Sequence, residues 1–120
     1  MEGTQVFNMV FDIPDTLPFS EEIVGFFLSL LPEDAVWFLT RHHARGWPDF
    51  RYALERGGHV RVGYEDGPFL STGERASSNA EIVEEIVGAA HQIGREVVDS
   101  QRARQIIGIG RKNDISPGQK

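Results

Sequence analysis

Apolar and polar positions divide the chain into short apolar runs and longer runs with apolar residues at helical spacing. Residues 6–13 and 36–40 are almost continuously apolar, which is typical of strands buried on both faces. A third run, over residues 57–66, alternates apolar and charged side chains after its two glycines. The pattern therefore predicts three strands.

Four helices are predicted between and after these strands, because each helical run begins and ends with residues typical of helix termini. These residues are Ser20 and Pro32 for the first helix, Pro48 and Gly57 for the second, Asn79 as the cap and Gly94 for the third, and Ser100 and Gly108 for the fourth. The apolar stripes comprise Ile23, Phe27, Leu30 and Leu31 in the first helix and Ile82, Ile86, Ala90 and Ile93 in the third.

The resulting order, β-α-β-α-β-α-α, predicts an α/β fold with a parallel sheet, since each connection between strands passes through a helix. The length of 120 residues corresponds to one domain. The formal net charge of −6 gives no reason to expect nucleic acid or an anionic membrane as a partner. The chain has no cysteine, no basic-then-apolar leader and no membrane-length apolar run, so a cytoplasmic protein is expected.

The third strand carries the candidate chemistry. Alternation places Val60, Val62 and Tyr64 on one face and His59, Arg61, Gly63 and Glu65 on the other. One interpretation is an exposed strand of an antiparallel sheet, with the charged residues in water. The other is a strand of a parallel barrel, where catalytic groups lie at the carboxyl ends of strands and Asp66 would follow at the mouth.

The stretch Gly-Gly-His-Val-Arg-Val-Gly-Tyr-Glu-Asp, residues 57–66, resembles the eighth-strand signature of the β-keto acid cleavage enzymes, the family of 3-keto-5-aminohexanoate cleavage enzyme. Residues 78–83, 94–97 and 103–108 resemble the family's last barrel helix and C-terminal ending. The resemblance covers about residues 6–108. It implies an α/β, partial (β/α)8 TIM barrel: the last three βα units plus a C-terminal helix. Residues 1–110 would be this portion and residues 111–120 a flexible polar tail.

The resemblance also implies a reaction and roles for three residues. Members of the family use zinc, condense a β-keto acid with acetyl-CoA, and cleave the product to acetoacetate and a new CoA thioester. Carried over to this chain, Glu65 is the metal ligand and Asp66 the base that takes a substrate proton. Arg61 is the cation that tunes Asp66 and helps to hold the substrate. Zinc suits this chemistry because it stabilises a developing enolate.

Several family features are missing from this chain. A complete barrel takes about 250 residues and eight strands, and the family's other zinc ligands, a His-x-His pair, do not occur here. His42 and His43 are adjacent, so on a strand they face opposite sides and do not easily bind one ion together; we expect a solvated strand end or loop rather than metal ligands. His59 and His91 are not assigned as ligands, and Gly67 stands where the family usually has Asn. The isolated chain is therefore expected to lack a working zinc site.

Two main function classes remain open at this point. The chain is either the C-terminal part of a β-keto acid cleavage enzyme, inactive without the missing N-terminal portion, or a non-catalytic binding or assembly module derived from that barrel. In both cases the open sheet edges predict a homo-oligomer or pairing with the missing N-terminal half. A third, unrelated alternative is a small α/β domain that binds an anion at a helix N-terminus, with the loop over residues 66–78 as candidate.

Overall fold

The computed structural model describes residues 3–42 and 48–109. Its elements are β1 (Val6–Phe11), α1 (Glu21–Leu30), β2 (Val36–Arg41), α2 (Pro48–Glu55), β3 (His59–Val60), α3 (Asn79–Gln92) and α4 (Ser100–Ile107). The predicted order of strands and helices is confirmed. The predicted tail over residues 111–120 lies outside the described residues, as does His43. No helix in the described ranges is long and apolar enough to cross a membrane.

The three strands form one sheet in the order β1-β2-β3, and both neighbouring pairs are parallel. Val6 pairs with Val36 at the start of β1, and Phe38 pairs with His59 at the start of β3. Each strand is followed by a helix, as a parallel connection requires. The predicted α/β class is therefore confirmed, and this small parallel sheet is compatible with part of a barrel.

The hydrophobic core lies between one face of the sheet and the helices. It is formed by Met9, Phe11, Trp37 and Leu39 of the sheet with Val24, Phe50, Tyr52, Ala53, Ala76, Ile82 and Ile86. The predicted α3 stripe is buried at Ile82, Ile86 and Ala90. The other face of β1 differs from the prediction of burial on both faces, because Val6 and Val10 are 47% and 36% exposed.

The third strand is shorter than the alternating pattern predicts. Ladder pairing ends soon after Val60, with a last bond from the Arg61 N–H to the Leu39 carbonyl, and the chain then bends into a turn over residues 64–66. The Gly63 carbonyl accepts hydrogen bonds from the N–H groups of Asp66 and Gly67, which closes this turn. The prediction of a strand continuing to Asp66 is therefore wrong. The apolar and polar residues continue to alternate through the turn, so the alternation alone does not show where the strand ends.

The helix ends match the prediction except at the start of α3. Ser78, rather than Asn79, is the N-cap, since its side chain accepts a hydrogen bond from the Glu81 N–H. Asn79 is the first helical residue, and its side-chain oxygen accepts a hydrogen bond from the Tyr64 N–H at 2.6 Å. Gly108 ends α4 with φ +78°, a left-handed conformation that favours glycine.

Gly58 allows Trp37 to pack directly against the backbone that leads into β3. A Cβ at Gly58 would lie 2.5 Å from the buried Trp37 ring, so we expect Gly58→Ala to lower the free energy of unfolding by about 2 kcal/mol through overpacking. Gly88→Ala in α3 is the matched control, since no atom lies within 4 Å of its added Cβ. Urea unfolding measures both variants, and equal stability would contradict the close packing at Gly58.

Candidate active site

The carboxyl ends of the three parallel strands meet at one edge of the sheet, and polar residues follow each strand there. Asp12 follows β1, His42 follows β2 and Arg61 follows β3. The His42 N–H donates to the Phe11 carbonyl at 3.1 Å, which holds the ends of β1 and β2 together. This edge is where enzymes built on parallel sheets place their catalytic groups.

Asp66 lies at this edge, after the end of β3, and is only 9% exposed. Its Oδ1 lies 3.4 Å from Nε2 of His42, and its Oδ2 lies 3.7 Å from Nε of Arg61. Gly63 faces the same carboxylate, because a Cβ built there would lie 3.8 Å from Oδ2. The structure therefore brings the predicted base, Asp66, together with the predicted cation, Arg61.

Glu65, the predicted metal ligand, occupies a different environment from its neighbour Asp66. Its side chain is exposed, because the turn after Gly63 directs Asp66 inward and Glu65 outward. If β3 continued as a strand, alternation would place Glu65 on the same face as Arg61. Because the chain turns at residues 64–66, the two side chains no longer share a strand face. Among residues 3–42 and 48–109, no three His, Asp or Glu side chains form a group that could hold a metal ion. Since catalytic zinc takes three protein ligands, these residues alone do not fit a complete zinc site.

The contact between His42 and Asp66 was not predicted from the sequence. We expected a solvated strand end, but the His42 side chain is 25% exposed and faces Asp66 on the neighbouring strand's loop. The signal for this contact is the parallel order itself, which places the residues that follow β2 and β3 beside one another. Hydrophobic periodicity carries no information about which of those residues make contact.

Arg41 connects the strands to α2 on the opposite side from His42. Its Nε lies 2.9 Å from Oδ2 of Asp12, and its Nη1 lies 2.9 Å from Oδ1 of Asp49. The Asp49 side chain is fully buried, and the Nη1–Oδ1 contact is an ion pair. Burial raises the pKa of Asp49 above its ordinary value of 3.8, and the Arg41 charge opposes that shift.

His59 lies at the start of β3, away from the carboxyl edge. Its ring centroid is 5.1 Å from that of Phe38. Burial lowers the pKa of His59 below its ordinary value of 6.5, and the nearby Arg95 charge lowers it further. These surroundings favour a neutral, packed imidazole at the amino-terminal side of the sheet.

The loop that follows Asp66 is tied to α3. Nε of Arg75 donates to the Tyr64 hydroxyl at 3.1 Å, and the Arg75 guanidinium lies over the Tyr64 ring. Farther along the loop, the Ser71 N–H and hydroxyl both donate to Glu85 of α3. These contacts fix the backbone on the carboxyl side of Asp66.

A protein-family profile described as beta-keto acid cleavage enzyme matches residues 1–109. The chain belongs to the beta-keto acid cleavage enzyme family. The predicted resemblance is therefore confirmed over nearly all of the chain. Arg61, Glu65 and Asp66 lie within the matched residues.

Three curated relatives agree with this membership. The chain is 31% identical over 105 residues to a 3-keto-5-aminohexanoate cleavage enzyme of Acetoanaerobium sticklandii, covering 88% of this chain and 38% of the relative. It is 37% identical over 79 residues to an enzyme of the same name from Fusobacterium nucleatum, covering 66% and 29%. It is 30% identical over 112 residues to a 3-oxoadipate:acetyl-CoA acetyltransferase of Cupriavidus necator, covering 91% and 39%. The chain thus spans 29–39% of the length of these relatives.

The buried Arg41–Asp49 pair provides a test of how the strand ends are held. We expect Arg41→Leu to lower the free energy of unfolding by about 3 kcal/mol near pH 7, because it leaves the Asp49 carboxyl buried without its cation. The double variant Arg41→Leu with Asp49→Leu is expected to recover most of that loss. Urea unfolding of both variants beside the parent chain measures the difference.

The decrease in the free energy of unfolding caused by Arg41→Leu is also expected to depend on pH. Because burial raises the pKa of Asp49, the folded chain keeps this proton at a pH where the unfolded chain has released it. Stability from Asp49 is therefore fully present below about pH 3.8 and falls as pH rises above it. The Arg41→Leu loss should be smaller near pH 4 than near pH 7, and a pH-independent loss would contradict a buried Asp49 charge.

Proposed function

We propose that the chain supplies the last three βα units and the C-terminal helix of a (β/α)8 barrel enzyme that cleaves a β-keto acid with acetyl-CoA. Family membership supports the reaction class, and the parallel three-strand sheet is compatible with the carboxyl-terminal part of such a barrel. Two relatives are named for cleavage of 3-keto-5-aminohexanoate, and one for acetyl transfer between 3-oxoadipate and acetyl-CoA. The products would be acetoacetate and a new acyl-CoA.

The observation that carries this proposal is the placement of Asp66. A buried carboxylate at the carboxyl edge of a parallel sheet, approached by Arg61 and His42, is a suitable general base. In the proposed reaction Asp66 removes a proton from C2 of the β-keto acid. Arg61 is 61% exposed on its side chain, so its guanidinium can reach both Asp66 and an incoming substrate carboxylate.

The remaining bond changes follow from this proton transfer. The C2 carbanion attacks the acetyl carbonyl carbon, a new carbon–carbon bond forms, and CoA leaves as a thiolate. The thiolate then attacks the original C3 carbonyl and the C2–C3 bond breaks. The released acetoacetate enolate takes back a proton at C2, and the rest of the substrate leaves as the acyl-CoA.

Glu65 is proposed as one ligand of the zinc ion, which would stabilise negative charge on the substrate's keto oxygen. Its exposure at the carboxyl edge, next to Asp66, supports this role. The other donors would come from the amino-terminal part of a barrel, joined to this chain or paired with it in a larger assembly. The relatives are much longer than the region that this chain matches, which supports the existence of an additional barrel part.

The proposal predicts different losses at the two neighbouring carboxylates. To test this, a chimera would carry in front of this chain the amino-terminal part of the A. sticklandii relative that, under this proposal, corresponds to the first five βα units. Glu65→Gln in this chimera is expected to lose bound zinc and acyl-CoA formation together. Asp66→Asn is expected to retain zinc and lose at least about 100-fold in kcat, because the base is removed.

Metal analysis after dialysis and a thioester assay with acetyl-CoA and 3-keto-5-aminohexanoate provide the two measurements. Glu74→Gln, an exposed loop glutamate, is the matched control and should retain zinc and activity. Full turnover in Asp66→Asn would remove Asp66 from the role of base. A chimera that folds and binds neither zinc nor substrate would favour the non-catalytic module instead.

A further inference from the structure

His42 is the better fixed of the two side chains that approach Asp66. Its side chain is 25% exposed and its Nε2 lies 3.4 Å from Asp66 Oδ1. Arg61 is 61% exposed and lies farther away, at 3.7 Å from Oδ2. Contacts made by exposed charges are weakened by solvent and by side-chain freedom. His42 is therefore the nearer and less exposed of the two groups that face Asp66.

The surrounding structure determines where His42 points. Arg41, its neighbour, is held on the helix side of the sheet by Asp12 and Asp49, each at 2.9 Å. Successive side chains at a strand end face opposite sides, so this arrangement turns His42 away from the helices. The His42 N–H also donates to the Phe11 carbonyl, which fixes its backbone.

We propose that His42 is a positioning residue that holds the Asp66 carboxylate in its reactive orientation. This inference rests on the proposed role of Asp66 as base. A base must lie within hydrogen-bond reach of the proton it removes, and rotation of a carboxylate changes that distance. With His42 at Oδ1 and Arg61 at Oδ2, each oxygen has its own partner, and rotation about the Cβ–Cγ bond is restricted.

The first experiment measures the contact in the chain itself, without any assumption about activity. The side-chain 13Cγ resonance of Asp66 is recorded at one fixed pH in the parent chain, His42→Leu, His42→Gln and His91→Leu. We expect a change in His42→Leu and recovery toward the parent position in His42→Gln, which keeps an N–H donor. His91→Leu, at an exposed histidine of α3, controls for loss of an imidazole elsewhere.

The second experiment measures turnover in the chimera with the A. sticklandii amino-terminal part. His42→Leu is expected to lower kcat at least about tenfold with little change in KM, and His42→Gln to restore most of it. An unchanged kcat in His42→Leu would overturn the proposal. So would an Asp66 resonance that is unaffected by His42→Leu, or equally displaced by Leu and Gln. If the resonance responds as expected but the folded chimera has no activity, the orienting contact is supported and the proposed reaction fails.

Discussion

The position of β2 between two parallel neighbours is the constraint on which the rest of the structure depends. Because β1 and β3 both run parallel to β2, all three carboxyl ends lie at one edge of the sheet. The register then places His42 beside the end of β1 and opposite the loop that carries Asp66. A shift of one residue in the register of β2 would exchange the faces on which Arg41 and His42 lie. Arg41 would then lose Asp12 and Asp49, and His42 would lose Asp66.

The Arg41 ion pairs stabilise this arrangement at a cost in desolvation. Asp49 is fully buried beside the Arg41 guanidinium, and burial raises its pKa. Such pairs contribute little net stability compared with well-packed apolar residues, so their effect is mainly on geometry. Arg41 links β1, through Asp12, to α2, through Asp49. The carboxyl edge of the sheet is thus supported from the helix side.

Sequence periodicity predicted the topology because each strand and each helix has a distinct hydrophobic repeat and recognisable ends. The association of Arg61 with Asp66 was implied by the family resemblance and not by periodicity, which would place the two residues on opposite faces of a strand. Periodicity did not predict the turn after Gly63, since residues 59–65 continue to alternate after pairing with β2 has ended. The contact between His42 and Asp66 joins residues 24 positions apart, and only the strand order and register define it.

The turn on Gly63 also explains how two adjacent carboxylates can serve different purposes. A continued strand would place Glu65 on the same face as Arg61 and turn Asp66 to the other face. The turn instead buries Asp66 between His42 and Arg61 and leaves Glu65 in solvent. Neighbouring acids in different environments are suited to different roles, because burial and fixed partners define one while the other stays open to ligands. The backbone at Gly63, rather than the identity of the two acids, therefore determines the division of labour proposed for this site.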